Sequence, residues 1–382
     1  MELVAPDWEI LHRLRNRFLK SSGSVGLYWE SANDLVQYHQ YFASRIGWKW
    51  DAAISQAKQR DWQLQSSQIL DWGCGTGIAT LRILEAFGED KVTEVILWDH
   101  SIAATSFAQK TLQEKYPNIN VTVSNDLSSI DLSETLCLAS HVLNELSLTD
   151  RESLNRLFSQ SQQVFWVEPG SYDSSRLLLE QREELLPYFN PIAPCVCDLP
   201  CPMKEEANTI HWCHFFAKPP IVAFTKAHWA QFSKVMEIDL RSLPYSFIVM
   251  DSLKLKSRQL TAGKSRVLGR PRQYKGYTRI YSCDENGHND YELWKREDKT
   301  LWKTIKKNKN GTLYEWTRID SGKILAGKIV EGAVESLEVQ AEPWKRSCDV
   351  GLALVPRRVC ISQHQTSRHS SSTGPTNKIA PR

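Results

Sequence analysis

Between Gln68 and Leu84 the chain reads Q-I-L-D-W-G-C-G-T-G-I-A-T-L-R-I-L. A short apolar strand, Gln68-Ile69-Leu70-Asp71, enters a turn with glycines at 73, 75 and 77, and a helix leaves it through Leu81, Ile83 and Leu84. Few folds accept that succession. Glycines let the backbone approach a ligand, and a helix N-terminus presents free N–H groups to it. The arrangement opens a nucleotide-binding βαβ unit, so a parallel sheet is expected to follow. The second strand, Glu94–Trp98, ends at Asp99, 22 residues after Gly77, where an acid can accept both ribose hydroxyls. A third, Val121–Ser124, ends in Asn125-Asp126, polar groups placed to meet an adenine edge. Thr135–Ser140 and Val164–Val167 read as the fourth and fifth strands.

A second stretch, Pro194 to Phe215, reads P-C-V-C-D-L-P-C-P-M-K-E-E-A-N-T-I-H-W-C-H-F and holds Cys195, Cys197, Cys201 and Cys213. Pro194, Pro200 and Pro202 each fix φ and remove a donor, so this is a rigid loop and not a helix. Thiolates that converge bind metals. A metal or iron–sulfur cluster is expected here, tied from outside the loop by Cys283. Zinc is the alternative, and His211 and His214 would be candidate ligands in that case. Cys74 and Cys137 read as small buried residues, while Cys348 and Cys360 have no assigned role.

The net charge is only +3, but its distribution is uneven. From Asp251 to Cys283 there are nine Lys or Arg against one acid, a net +8. Farther on, Leu293-Trp294-Lys295-Arg296 and Leu301-Trp302-Lys303 precede Lys306-Lys307-Asn308-Lys309. Cations interleaved with tryptophans suit RNA, whose phosphates need positive charge and whose open bases stack on rings. The competing expectation is a solvated face with its tryptophans turned to the core. The basic residues 254–279 and 294–309 are the expected RNA contacts. No apolar run is long enough for a transmembrane helix, and the N-terminus lacks a signal-peptide core. Nine cysteines in a chain of this kind point to reduced thiols and metal binding over disulfides. A monomer is expected, in a prokaryotic cytoplasm since no transit peptide is evident, or in a mitochondrion if the source is eukaryotic.

The D-x-G-x-G-x-G form of the turn, at Asp71, Gly73, Gly75 and Gly77, resembles the class I S-adenosylmethionine methyltransferases. More specifically, the chain is similar to the methyltransferase-like assembly factors of the small ribosomal subunit found in bacteria and mitochondria. The matching pieces run from Tyr28-Trp29-Glu30-Ser31 through Ala139–Leu146, Glu168-Pro169-Gly170 and Arg182–Leu186. They continue with Ala193-Pro194-Cys195, Cys201-Pro202, Trp212-Cys213-His214-Phe215 and Gly269-Arg270-Pro271-Arg272, reaching Trp302. The resemblance implies S-adenosylmethionine held by Asp71 and the glycines at its methionine part, by Asp99 at the ribose and by Asp126 near the adenine. It also implies a [4Fe-4S] cluster on Cys195, Cys201, Cys213 and Cys283, with Cys197 competing with Cys195. The implied partner is the small ribosomal subunit and its rRNA.

The expected fold is α/β, a class I methyltransferase (Rossmann-like) seven-stranded sheet. It carries a helical lead-in (1–66), a methyltransferase-like domain (67–290) with a cysteine-rich insertion (191–220), a basic extension (291–360) and a disordered tail (361–382). Tyr245–Met250 and Tyr277–Ser282 are expected as the last two strands, joined by the basic stretch, with the seventh inserted antiparallel. The position after the fourth strand reads S-H-V-L-N-E-L, without the Asp/Asn-Pro-Pro-aromatic motif of amine methylation. His141, Asn144 and Glu145 are the polar candidates there, so catalysis stays open beside a purely binding role.

Overall fold

The computed structural model describes residues 4–20, 29–255, 263–307 and 313–330. The expectations for Tyr28, Lys256, Arg258, the 308–312 turn, Cys348, Cys360 and the tail lie outside the described residues.

The N-terminal region is helical, as α1 (Trp8–Lys20), α2 (Ala32–Gln37) and α3 (Ser44–Lys58). Ser31 caps α2 by accepting from the Asp34 N–H, and a π-helical turn, Tyr38–Ala43, joins α2 to α3. The first sheet contains β1 (Gln68–Trp72), β2 (Glu94–Trp98), β3 (Asn120–Val123), β4 (Thr135–Ser140), β5 (Gln163–Pro169), β6 (Phe189–Ala193), β7 (Phe215–Ala217) and β8 (Leu243–Ser252). Its order is β3-β2-β1-β4-β5-β8-β6, with β7 paired to β8 off that path. β1 to β5 are parallel, and β8 runs antiparallel between β5 and β6. This is the Rossmann-like sheet with an inserted antiparallel strand, here with eight strands where seven were expected.

Helices α4 (Ile78–Phe87), α5 (Ile102–Lys115), α6 (Leu148–Phe158) and α7 (Tyr172–Leu185) make the crossovers. Two short ones, α8 (Val222–Thr225) and α9 (Ala227–Val235), precede β8. Alternation along β5 sends Phe165 and Val167 into the core beneath α3 and α4, and Val164 and Trp166 into the core beneath α6 and α7.

Two expected strand positions change. The sixth strand is Phe189–Ala193, which the sequence hides because Pro191 removes a ladder donor; the strand sits at the sheet edge, where that loss is tolerated. Tyr277–Ser282 does not belong to the first sheet. It falls within β11 of a second one, built from β9 (Ser265–Val267), β10 (Arg272–Gln273), β11 (Tyr277–Asp284), β12 (Gly287–Trp294), β13 (Leu313–Asp320) and β14 (Lys323–Ile329). Its order is β10-β11-β12-β14-β13-β9, and β9 also pairs with β11, so five strands close into a barrel. Helix α10 (Lys299–Lys307) lies between β12 and β13. Its Leu301 and Ile305 pack with Val267, Ile280, Leu293, Tyr314 and Ile324 in the barrel's own core. The barrel thus starts at Ser265 and crosses the expected boundary at 290.

Candidate functional site

The crevice at the C-terminal ends of β1, β2 and β4 gathers five of the six expected cofactor residues. Asp71 is fully buried and accepts from the Thr80 hydroxyl at 2.7 Å. Burial raises its pKa to about 7, and its Oδ1 has no hydrogen-bond partner. The Gly73 and Cys74 N–H groups donate to the Trp98 carbonyl, at 2.8 and 3.0 Å. Asp99 accepts from the Gly75 N–H at 2.9 Å and the Ser101 N–H at 2.8 Å, which locks the turn against β2. All three glycines have positive φ: Gly73 at 67°, Gly75 at 51° and Gly77 at 76°. A Cβ on Gly73 would stand 2.7 Å from the Val142 Cγ1, whereas one on Gly75 would meet nothing within 4 Å. The turn therefore packs on the loop after β4 and leaves space at its tip. Asp126 lies apart. It is exposed and accepts from the Ser128 N–H at 2.9 Å and hydroxyl at 2.6 Å, capping its own turn.

Gly73→Ala is expected to cost roughly 1–3 kcal/mol, because alanine is strained at that φ and its methyl drives into Val142. A thermal melt beside Gly88→Ala, where φ is also positive but the space is open, separates crowding from backbone strain.

Beside the turn lies a group that sequence reasoning missed. Lys49 on α3 places its Nζ 3.0 Å from the His141 Nε2, and the Trp50 indole donates to the Ser140 hydroxyl at 2.9 Å. Burial lowers the Lys49 pKa to about 7, and burial together with Lys49 holds His141 well below its usual range. His141 is itself in the left-handed region, at φ 59°. Glu168, at the end of β5, accepts from the Val142 and Leu143 N–H groups and the Trp166 indole. Burial raises its pKa to about 7, and its Oε2 has no hydrogen-bond partner. Of the expected polar candidates, His141 joins this group, Glu145 lies near enough for its charge to raise Glu168 further, and Asn144 accepts instead from the Ser174 hydroxyl. A lysine between tryptophans in Trp48-Lys49-Trp50 was the available signal.

The second site is the cysteine loop, which follows β6. Cys195, Cys201, Cys213 and, more weakly, Cys197 all act electrostatically on Cys283, which β11 brings in from the barrel. Burial raises all three of Cys201, Cys213 and Cys283, Cys201 to about 12, and their neighbours' negative charge adds to it. A bound cation reverses that balance, because a coordinated thiol is deprotonated outright. Arg182, buried in α7, donates from Nε to the Cys195 sulfur at 3.2 Å and from Nη2 to the carbonyls of Cys197 and Leu199. Its neighbour Glu183 accepts from the Cys201 N–H at 3.2 Å. Cys197 turns aside, to the Asp284 carbonyl at 3.9 Å. His214 bonds the Trp212 carbonyl and stacks on the Trp212 ring. Among the described residues, no three His, Cys, Asp or Glu side chains are close enough to hold one metal ion.

The basic stretch splits in three. Arg266 is fully buried, donating to the Pro194 carbonyl at 3.1 Å and to Gln56 at 2.9 Å, so it is no phosphate contact. Arg272 and Arg279 pair with Asp290. Lys254, Arg270 and Lys275 stay exposed. Trp302 packs on the barrel core between Lys295 and Lys306, while Trp294 belongs to none of the three cores.

A family model described as "Mitochondrial small ribosomal subunit Rsm22" matches residues 38–315. The chain belongs to the Rsm22 family. No curated protein matches it in sequence. Among solved structures, the Rsm22-family chain is similar to the plantazolicin methyltransferase BamL, solved with S-adenosylhomocysteine (SAH) and a triazolic desmethylPZN analog, at 12% identity and TM-score 0.35, over 64% of this chain and 97% of that one. It is also similar to magnesium protoporphyrin IX methyltransferase of Synechocystis with bound SAH, at 13% identity and TM-score 0.33, over 64% and 99%. At these TM-scores the strand order, and not the superposition, defines the fold. No described helix of this Rsm22-family chain is long and apolar enough to cross a membrane.

Proposed function

We propose that this Rsm22-family chain binds S-adenosylmethionine in the glycine-turn crevice, holds a [4Fe-4S] cluster on Cys195, Cys201, Cys213 and Cys283, and acts on the rRNA of the small ribosomal subunit. The observation that carries the first part is the crevice itself. Asp71 Oδ1 and the Thr76 hydroxyl are buried without partners beside a turn that is open at Gly75. Buried polar atoms left unpaired mark a missing partner, and the amino and carboxyl groups of a methionine moiety supply such atoms. Asp99 keeps lone pairs for ribose hydroxyls. Asp126 reaches an adenine only by leaving its own turn.

For the second part, the support is the donor set and its spacing. Cys195, Cys201 and Cys213 stand on or beside one loop, and β11 carries Cys283 to the same neighbourhood, a donor set of thiolates that suits an iron–sulfur cluster or zinc. Arg182 would neutralise part of the thiolate charge.

S-adenosylmethionine supplies an electrophilic methyl group when bound. Lys49, His141 and Glu168 border the crevice and can hold or accept a proton from an acceptor amine or hydroxyl. They favour methyl transfer as a second reading over a cofactor-binding assembly factor without catalysis. Calorimetry with S-adenosylmethionine tests the first part; an intact chain that does not bind it would sink the proposal. Transfer of labelled methyl from the donor to small-subunit RNA, lost in Lys49→Met, then separates the two readings. A colourless anaerobic preparation without iron would remove the cluster.

A further inference from the structure

The barrel has an order with a known chemical bias. Numbered along the chain without the two-residue β10, its strands β9, β11, β12, β13 and β14 pair as 1-2-3-5-4-1. Strands three and five are parallel, and every other pair is antiparallel. The helix α10 falls between strands three and four and sends Leu301 and Ile305 into the barrel core. That is the oligonucleotide-binding (OB) fold, which takes ligands on the face of strands two and three and at the connections between strands one and two and between four and five.

On that face three rings form a ladder. Tyr277 and Trp294 are register partners across β11 and β12, stacked with centroids 4.8 Å apart and planes at 19°. Tyr274, in the connection between strands one and two, folds back through Gly276 and stacks on Tyr277 at 4.8 Å and 8°. The Arg296 guanidinium closes the far end, 5.0 Å from the Trp294 centroid. None of the three rings belongs to a hydrophobic core, whereas the other stacked pair of the barrel, Tyr314 and Trp316, packs within one. Tyr274 is 45% exposed, and no second ring or cation covers it among the described residues.

The rest of the same face is already taken. Outward residues of β11 alternate as Tyr277, Arg279, Tyr281 and Cys283. Tyr281 packs against His211 of the cysteine loop, ring centroids 4.6 Å apart and planes tilted by 49°, and Cys283 lies near the loop's thiols. One half of the strand-two face is therefore covered by the loop, and the half that ends in Tyr274 is open. Lys275 flanks it without an acid in ion-pair range among the described residues, whereas the Lys295 ammonium lies over the Trp302 ring. The nearby acids are engaged: Glu292 by the Trp294 indole, Glu297 by Arg296, and Asp290 by Arg272 and Arg279.

We infer that the barrel is an OB-fold module whose Tyr274–Tyr277–Trp294 ladder takes an unpaired nucleobase of an RNA strand on the free face of Tyr274. Ring stacking accepts any base, so the site reads single-strandedness and not sequence. This rests on the proposal that the chain works on rRNA, and it names the surface and the state of the RNA it takes.

The test uses the full chain and fluorescence anisotropy with two labelled single-stranded oligoribonucleotides, one intact and one carrying abasic sites. Wild type is expected to prefer the intact strand. Tyr274→Leu should bind that strand about tenfold more weakly and lose the preference, while Tyr274→Phe should keep both. Leucine retains apolar area without a π face, and the position is exposed, so the fold is not at stake. Wild type that binds both strands alike, or Tyr274→Leu that binds the intact strand as wild type does, overturns the inference and leaves the RNA reading standing. Wild type that binds neither strand, nor small-subunit RNA, overturns both.

Discussion

A Cys213→Ser variant purified without oxygen is expected to lose its iron and to melt well below the parent chain. Cys213 is carried by the loop that leads into β7, and its carbonyl accepts from the Ser246 hydroxyl of β8 at 2.7 Å, so its backbone is fixed whether or not the sulfur is bound. Serine would remove the proposed ligand with little change in shape. Binding free energy at a site that forms only on folding is folding free energy, about 10–16 kcal/mol for structural zinc in small peptides. A fraction of that is still larger than any other single-residue effect expected here. Cys283→Ser should behave alike. Cys197→Ser should keep its iron, because that sulfur turns to the Asp284 carbonyl. Iron assay and melting of the three variants check the ligand set, and equal iron in all of them would dismiss it.

Arg266→Met is the second large effect, expected at about 3–5 kcal/mol from urea unfolding. The guanidinium is fully buried, and methionine fills much of its volume. The Pro194 carbonyl and the Gln56 side chain would then lose a charged donor each. Burial raises the Cys213 thiol, and the Arg266 charge opposes a small part of that rise. Arg272→Met, from the same basic stretch but at the surface against Asp290, should stay within about 0.5 kcal/mol of wild type.

These two arginines show where sequence reading ran out. Both sit in a run with net charge +8, and local composition cannot separate them. Arg266 is buried because its partners are 72 and 210 residues away in the chain. The same holds for Lys49, which meets His141 across 92 residues. By contrast, β1 to β5 and the glycine turn were legible because strand period and turn chemistry are local. The barrel was not: β9 is only Ser265-Arg266-Val267, too short and polar to register as a strand. β6 was hidden by Pro191. The thiol set was expected from cysteine spacing and the family resemblance, yet nothing in the spacing said that Cys283 belongs to a separate barrel.

Among the described residues, a single run of backbone leaves the first sheet, at Ser252, and enters the barrel at Ser265. A body joined by one run of chain would swivel, but this one is pinned elsewhere: Arg266 of β9 donates to the Pro194 carbonyl and to Gln56, Leu268 packs in the first sheet's core, and the Gly269 N–H donates to the His214 carbonyl. Several separated anchors remove every axis of rotation, so the rings at Tyr274, Tyr277 and Trp294 keep one fixed bearing on the crevice at the glycine turn, like a sight bolted to its rail.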